Sequence, residues 1–403
     1  MKATDQNYIA APSHHRRAKV FKKYLGIFLI CFLSLSLVFT SAALTLIYRL
    51  QANLKTHDHT ALITNERPGE VIPLDQKSGE PINILLLGSD ARFDESGKVT
   101  ADGMRSDTTM FAHISADRKR IDIVSIPRDA LVSIPSCMLP DGSKTWAQDE
   151  AMFNSAFSIG GSTGDLNAAA TCTLQTVEQM SEIVIDGYIV VNFQSFADVV
   201  ETLNGVEMCF KEPIDDPLSG LSVKAGCQTL DGDQALAFAR ARKSLGDGSD
   251  ISRIGRQQEL IAKIMQKVLT MNIFTNLPKF YQLLTDVTRN LDTSEGIGNI
   301  SWLSGMLYSM SDIKMSDINF LTMPFVPAGN RVLPSESANL VWEAIRLDQE
   351  IPEELLDPER ADSVTTNSAI TRETDSENTS ESTDPADSGS ESGNTESSTG
   401  NTN

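Results

Sequence analysis

The residues of this chain best suited to chemistry are arginines and aspartates at the ends of predicted strands. Residues 88–92 (GSDAR) follow one apolar run, residues 105–107 (RSD) precede the next, and residues 126–129 (IPRD) end a third. Ligand sites in α/β domains form at strand ends. Arginine donates paired hydrogen bonds to phosphate and remains charged. The pattern therefore predicts an anion site that draws on these side chains: Asp90, Arg92, Arg105, Asp107, Arg128 and Asp129.

A second group of polar residues lies on a helix predicted to start near residue 250. With Asp250 as its N-cap, Arg253, Arg256 and Gln257 fall on one face within the first turns. A helix N-terminus with two guanidinium groups and an amide is a natural anion site. A separate apolar stripe on the same helix is expected to face the core: Ile254, Ile261, Met265 and Val268.

Residues 237–242 (AFARAR) close the preceding predicted helix. Arg240 and Arg242 cannot lie on one face of a regular helix at this spacing. If both contact the same ligand, we expect Arg242 to lie beyond the helix end.

Two of the aspartates are candidate metal ligands. Asp90 and Asp107 could hold Mg²⁺, which takes oxygen ligands from one or two carboxylates and from substrate phosphates. With the arginines they suit a pyrophosphate–metal complex, in which stabilising the leaving phosphate is the main catalytic effect. For any single Arg–Asp pair a surface salt bridge is the alternative, but the whole set at element ends favours a site.

Other chemistry is disfavoured by the sequence. It has no Walker A, GxGxxG or HExxH motif and no EF-hand loop. His113 falls in a predicted strand and is interpreted as a core or sheet histidine. His57 and His59 are predicted to be exposed on a linker, where they would make only a weak metal site.

The elements that must position these residues alternate between strands and helices. Strands are predicted at 82–87, 108–114, 121–126, 185–191, 206–210 and 318–322. Helices are predicted at 147–159, 165–182, 193–203, 231–239, from 250, within 276–310, and at 336–347. This alternation predicts an α/β fold, an α/β/α layered domain with a central mixed sheet.

The N-terminal region predicts a membrane anchor. Residues 24–48 carry no charge, and the preceding 23 residues contain six basic residues and one acid. About 20 apolar helical residues span a bilayer, and basic flanks stay in the cytoplasm. The prediction is a single-pass cell-membrane protein with residues 1–23 inside and the remainder extracytoplasmic. A cleaved signal peptide, with a site at Ser41-Ala42-Ala43, is the alternative.

The rest of the chain is divided by composition. Residues 49–80 read as a polar stalk, 81–351 as the catalytic domain, and 352–403 as a disordered acidic tail rich in serine and threonine. The formal net charge is −20, and residues 361–403 contribute nine acids against one arginine. Such a chain lacks the basic surface that general nucleic-acid binding needs.

Four of the cysteines lie on the predicted outer side, where disulfides can form. Four cysteines allow three pairings. We favour Cys137–Cys172 and Cys209–Cys227, because each closes a local loop; four buried free thiols are the alternative.

With these segments in view, the chain resembles the LytR-CpsA-Psr (LCP) family of cell-wall ligases. The similarity runs from about residue 82 to 260 and keeps seven motifs in order: GSDxR, RSDTTM, IPRD, DGYIVVNF, LNGVEM, LDGDQALAFARAR and DISRIGRQQ. Any one motif alone would be weak, whereas the ordered set is specific. The external cysteines are not general in the family but occur in actinobacterial members.

The resemblance implies Mg²⁺-dependent transfer of a glycopolymer, such as teichoic acid or capsule, from a polyprenyl-pyrophosphate carrier to peptidoglycan through a phosphodiester. It implies an apolar lipid pocket and metal ligation by Asp90 and Asp107. It also implies a pyrophosphate-binding and catalytic set: Arg105, Asp107, Arg128, Arg240, Arg242, Arg253, Arg256 and Gln257, with Arg92 as a further member. The general base is left open between Asp107 and Asp129.

Three alternatives to a peptidoglycan ligase remain. One is a ligase that attaches a glycan to a surface protein, and another is a binding module that holds polyprenyl phosphate or wall glycan without turnover. A transcriptional regulator, as the family's historical name suggests, is disfavoured because the domain is predicted to lie outside the membrane.

Overall fold

A computed structural model describes residues 14–63, 66–69, 71–74, 77, 79–90, 104–241, 250–270 and 277–356, with the backbone alone for 14–21, 277–280 and 290. The predicted site residues Arg92 and Arg242 lie outside the described residues, as does most of the predicted tail.

Within these ranges the chain alternates between helices and strands. The helices are α1 His14–Asn53, α2 Ser155–Gly160, α3 Leu166–Ser181, α4 Phe193–Thr202, α5 Gly232–Arg240, α6 Asp250–Leu269, α7 Leu277–Asn290, α8 Ile300–Ser309, α9 Glu336–Arg346 and α10 Glu353–Leu356. The strands are β1 Lys55–His57, β2 Ile82–Ser89, β3 Ser106–Ile114, β4 Ile121–Ile126, β5 Leu131–Ile134, β6 Gln148–Met152, β7 Gly187–Asn192, β8 Val206–Phe210, β9 Ile214–Asp216, β10 Leu221–Val223, β11 Gly226–Leu230, β12 Leu291–Ser294, β13 Ile318–Thr322, β14 Phe325–Ala328 and β15 Arg331–Pro334.

Seven strands form a mixed central sheet in the order β1-β12-β7-β2-β3-β4-β13. β2 pairs in parallel with β7 and antiparallel with β3, so it lies near the middle of the sheet. Its continuous apolar run is explained by burial on both faces.

The two faces of the sheet contact different cores. Leu85 and Leu87 of β2 point to the side where α2, α3 and α9 pack, around the buried Phe157 and Trp342. Ile84 points to the opposite side, which is covered in part by α8 and α6. The predicted α/β/α layered domain with a mixed sheet is confirmed.

A smaller apolar cluster lies beside the sheet. The hairpin of β8 and β11, the hairpin of β9 and β10, and helices α4, α5 and α6 enclose it. Asp231 accepts a hydrogen bond from the Gln234 backbone N–H at 2.8 Å and closes a capping box, which explains why α5 begins there as predicted.

Two helix predictions are wrong in part. Residues 148–152 form β6, because this segment pairs as a hairpin with β5, a strand that was not predicted from the sequence. Within 276–310 the chain makes α7 and α8, but β12 interrupts them and joins the central sheet beside β7. Short strands without a long apolar run gave no periodic signal in the sequence.

The predicted stalk is packed against the domain. Leu50 and Leu54 are buried at the end of α1, and β1 pairs with β12 at the edge of the central sheet. Arg67 forms a buried ion pair with Glu178. His59, expected to be exposed, is 6% exposed and contacts the Tyr188 ring edge-on.

The folded domain also continues past its predicted end at residue 351. Leu355, on the short helix α10, is buried in the same core as Ile351, four residues earlier. The sequence places these two apolar residues one helical turn apart, next to the polar tail.

The disulfides and the core histidine follow the predictions. Cys137 bonds to Cys172, and Cys209 bonds to Cys227 between β8 and β11. His113 is fully buried in β3, where its Nδ1 lies 2.8 Å from Asn83 Oδ1.

Candidate functional site

A cavity of about 450 Å³ opens beside the central sheet. Its floor comes from the last residues of β2 and β7 and the first of β3, and its walls come from α4, α5 and α6. β2 and β7 are parallel, so their carboxyl ends meet here. This is the position in which α/β sheets bind ligands.

Five of the predicted site residues line this one cavity although they are far apart in sequence: Asp90, Asp107, Arg240, Arg253 and Gln257. They come from the ends of β2 and β3, the last turn of α5 and the first turns of α6. The sheet register and the α5–α6 packing therefore bring the motifs together.

Arg128 lies next to this group and joins three carboxylates. Its Nη1 donates to Asp107 Oδ1 at 2.9 Å, and its Nε lies 3.0 Å from Asp250 Oδ1 and 3.6 Å from Asp129 Oδ2. Partial burial disfavours the charged form, but the three carboxylates outweigh that effect and raise the pKa of Arg128 above its ordinary value. The guanidinium is therefore fixed in place and permanently charged.

The start of α6 carries a further contact. The Asp250 carboxylate pairs with Arg253 as well as with Arg128. Asp250 therefore links two arginines, a role that the sequence did not suggest. Arg253 is 3% exposed, and its Nη2 also donates to the Asp107 carbonyl oxygen at 3.2 Å.

The polar face of α6 is divided between the cavity and α5. Arg253 and Gln257, four residues apart, both line the cavity. Arg256 turns aside, and its Nη2 donates to the carbonyl oxygen of Ala241, the C-cap of α5, at 2.6 Å. Gln257 Nε2 donates to the Ala239 carbonyl oxygen at 3.3 Å. These two bonds tie the end of α5, which carries Arg240, to the start of α6.

Arg240 and Arg105 are the exposed members of the set. The Arg240 guanidinium lies 4.8 Å from the centre of the Phe193 ring, a cation–π contact at the cavity wall. Arg105 has an exposed side chain, and its backbone N–H donates to Asp90 Oδ1 at 2.8 Å. Arg105 thus orients Asp90 through its backbone, while its side chain is not among the cavity-lining groups.

Most of the remaining lining is apolar, although Thr108, Asn192, Asp216 and Ser219 also contribute to it. The apolar residues are the ones that sequence reasoning missed. The walls include Leu86, Met110, Phe193, Phe196, Leu236 and Leu260. In sequence they look like core residues of strands and amphipathic helices. The predicted core stripe of α6 was also wrong in part, because Ile261 lines the cavity and Val268 is 37% exposed.

The carboxylates of the cavity suit a magnesium ion. Asp90 Oδ1 and Asp107 Oδ1 accept hydrogen bonds, whereas the second oxygen of each has no hydrogen-bond donor within the described ranges. Mg²⁺ needs only one or two protein carboxylates when phosphate oxygens complete its octahedron. The described part of the chain has no group of three or more His, Cys, Asp or Glu arranged for a metal. The donor set therefore fits Mg²⁺ held jointly with a phosphate ligand.

Known proteins resemble this chain in sequence and in fold. It is 31% identical to the probable cell wall biosynthesis protein LcpB of Corynebacterium glutamicum over 223 residues, which cover 53% of this chain and 48% of LcpB. It is 29% identical to TagT of Bacillus subtilis, a polyisoprenyl-teichoic acid–peptidoglycan teichoic acid transferase, over 69% of this chain and 79% of TagT. The chain thus spans about half the length of one relative and four fifths of the other.

The fold is shared with protein gbs0355 of Streptococcus agalactiae. The TM-score is 0.53 at 23% identity, over 70% of this chain and 91% of that one. The LytR_cpsA_psr family model matches residues 46–347, which include the whole cavity and the last turns of α1. By this match over most of its length, the chain belongs to the LytR-CpsA-Psr family.

Proposed function

We propose that this protein is an extracytoplasmic phosphotransferase that moves a glycopolymer from a polyprenyl-pyrophosphate carrier to peptidoglycan. The observation that carries the proposal is a single cavity with an anion-binding end and a mostly apolar remainder. Arg240, Arg253 and Gln257 supply the anion-binding end, and aliphatic and aromatic side chains supply most of the rest. A pyrophosphate bearing a long prenyl chain has the same two-part chemistry.

The reaction needs little covalent chemistry from the protein. An acceptor hydroxyl oxygen attacks the phosphorus nearer the sugar, the bond from that phosphorus to the bridging oxygen breaks, and polyprenyl phosphate leaves with the electron pair. The hydroxyl proton passes to a base, and a phosphodiester joins glycan and acceptor. Arg253 and Arg240 would stabilise the negative charge that grows on the leaving phosphate.

Between the two candidate bases, Asp107 is the better positioned. Asp107 lines the cavity, whereas Asp129 is not among the lining residues and lies 4.0 Å from Arg331. A base must come within hydrogen-bond reach of the proton that it removes. The base role and the metal-ligand role of Asp107 are alternatives, because Arg128 already donates to its Oδ1. If Asp107 instead held Mg²⁺ with Asp90, the ion would neutralise phosphate charge and Asp129 would be the remaining candidate base.

The membrane topology belongs to the same proposal. One helix is long and apolar enough to cross a bilayer, with its apolar window inside residues 22–53. The basic residues before it favour an orientation with the N-terminus in the cytoplasm and the cavity outside. The lipid carrier and the wall acceptor would then be on the same side as the cavity.

The test is release of polyprenyl phosphate by the full chain in detergent or nanodiscs, from a prenyl-pyrophosphate-linked glycan, with and without a peptidoglycan oligosaccharide. We expect release to need acceptor and Mg²⁺, and to fall about 100-fold or more in Arg128→Ala and Asp107→Ala. Arg346→Ala is the control, because Arg346 pairs with Glu182 away from the cavity and should leave activity intact.

Three results would change the proposal. Lipid binding without release, even with acceptor present, would favour the binding module. Release that needs a surface protein rather than peptidoglycan would favour the glycoprotein ligase. Unchanged activity in the presence of EDTA would remove Mg²⁺ from the scheme.

A further inference from the structure

The connection between the apolar helix and the domain is rigid. Leu50 and Leu54, at the end of α1, are 6% and 9% exposed, and β1 follows directly as a strand of the central sheet. The side chain of Gln51 makes two hydrogen bonds to the start of α8. Its Nε2 donates to the Gly298 carbonyl oxygen at 2.8 Å, and its Oε1 accepts from the Ile300 N–H at 2.9 Å.

The turn before α8 is also held closely against β1. A Cβ at Gly298 would lie 2.1 Å from Thr56 Cγ2, so only glycine allows this approach. The first turn of α8 is therefore fixed relative to the last turn of α1.

Helix α8 has an unusual outer surface. Residues 296–311 carry no charge. Met306 faces the core and is 8% exposed, whereas Leu307 and Tyr308 on the other side are 55% and 83% exposed. Trp302, in the first turn, is partly exposed, and its Nε1 donates to the Leu74 carbonyl oxygen at 3.2 Å.

The position of α1 sets the height of the first turn of α8 relative to the bilayer. The uncharged run of α1 ends at Tyr48, and Gln51 is three residues later, about 4.5 Å along the helix axis. The first turn of α8 therefore lies near the level of the lipid headgroups. Tyrosine and tryptophan are enriched at this level, because their rings are apolar with one polar group. Leu307, five residues after Trp302, is about 7.5 Å further along that helix.

We propose that the outer face of α8, formed by Leu307 and Tyr308, contacts the outer leaflet of the membrane as a second attachment point. This inference rests on the proposed membrane anchor. The absence of charge from residues 296–311 and their attachment to α1 favour lipid over a protein partner. With α1 and α8 both in contact with lipid, the domain would have one orientation on the membrane.

The test uses an environment-sensitive fluorophore on single cysteines of the full chain, in vesicles of phosphatidylcholine and phosphatidylglycerol. Cys31, the free cysteine within α1, reports on the anchor in the native sequence. In a Cys31→Ser background, Leu307→Cys reports on α8. Leu340→Cys is the matched control, because Leu340 is 41% exposed on α9, which packs on the opposite face of the sheet. Tyr308→Cys replaces Leu307→Cys if that variant fails to fold.

The expected result has three parts. The label at 307 should show blue-shifted emission and lose fluorescence to a spin label at the lipid headgroup. The label at 340 should show neither effect, and the label at Cys31 should be quenched by a spin label near the end of the acyl chain.

The other outcomes overturn the inference in distinguishable ways. If the Cys31 label is quenched but the 307 label behaves like the 340 label, α8 does not contact lipid and the anchor stands. If the Cys31 label is not quenched, the proposed anchor fails and this inference fails with it. A blue shift at 307 without quenching, lost when the protein is diluted among vesicles, would show that a second copy covers the surface instead.

Discussion

Acidification should destabilise the folded domain through His59. This side chain is 6% exposed, and burial, helped by the positive charge of Arg67, lowers its pKa from the ordinary 6.5 to about 4. Between pH 6.5 and about pH 4, His59 is protonated in the unfolded chain but neutral in the folded protein. Lowering the pH therefore favours the unfolded state, and the loss of stability is complete once the pH falls below the pKa of the folded state.

The size of the effect follows from the two pKa values. The gap between 6.5 and about 4 corresponds to about 3 kcal/mol of unfolding free energy. Between about pH 7.5 and about pH 5, the expected loss from this residue is about 2 kcal/mol. A domain of ordinary stability would lose a measurable share of its unfolding free energy.

The assay is urea unfolding of the full chain in detergent, followed by tryptophan fluorescence. Trp342 is 2% exposed against Phe111, so its emission should report loss of the core. We expect His59→Gln to lose less stability on acidification than the wild-type chain. His113, whose pKa is also lowered by burial, acts in both proteins, so the difference between the curves isolates His59.

Parallel curves of unfolding free energy against pH would refute this reasoning. They would mean that His59 is solvated in the folded protein, as a flexible stalk would require.

Three further predictions concern the cavity and the packed linker. Phe193→Leu removes the ring beside Arg240 and should lower kcat/KM about two- to fivefold, whereas Phe193→Trp keeps an aromatic ring and should not lower it. Equal kcat/KM in the two variants would exclude a role for the cation–π contact. Arg67→Leu leaves the Glu178 carboxylate buried without its partner and should lower the free energy of unfolding, measured in urea, by about 3 kcal/mol. Adding Glu178→Gln should restore part of that loss, whereas no loss in Arg67→Leu would contradict the buried ion pair. Ile261→Trp narrows the apolar part of the cavity and should raise KM about tenfold more for a long-chain donor than for a short-chain donor; equal changes would place the lipid elsewhere.

The sequence predicted most of the sheet and the polar end of the site. Long apolar runs such as the one in β2 identify central strands, because such strands are buried on both faces. The charged residues at their ends were recognisable because several arginines and aspartates fall together at strand ends, where α/β domains bind ligands. The cavity brings together Asp107 and Arg253, which are 146 residues apart.

What the sequence could not predict depends on tertiary contacts. Leu260 and Phe196 have the same pattern as core residues, and only the gap between α4, α6 and the sheet makes them cavity walls. The segment 49–80 is polar in composition, so nothing local indicated that β1 would pair with β12. Asp250 looked like a helix cap, and its bridging of Arg128 and Arg253 depends on the position of the loop after β4.

The edge strand β1 links the apolar helix α1 to the cavity through a continuous ladder of hydrogen bonds. Lys55 on β1 pairs with Asp292 on β12, and Asp292 pairs with Val190 on β7. Val190 pairs with Leu87 on β2, in the cavity floor. Three strand spacings, about 14 Å, separate the first from the last.

A rigid ladder of this kind changes how the two substrates would meet the enzyme. A donor confined to the leaflet would reach the cavity by lateral diffusion in two dimensions, and would not have to leave the bilayer to find it. The acceptor would have no such guidance and would have to approach from the wall. A transferase attached in this way would modify only the layer of wall that its cavity can reach from the membrane surface.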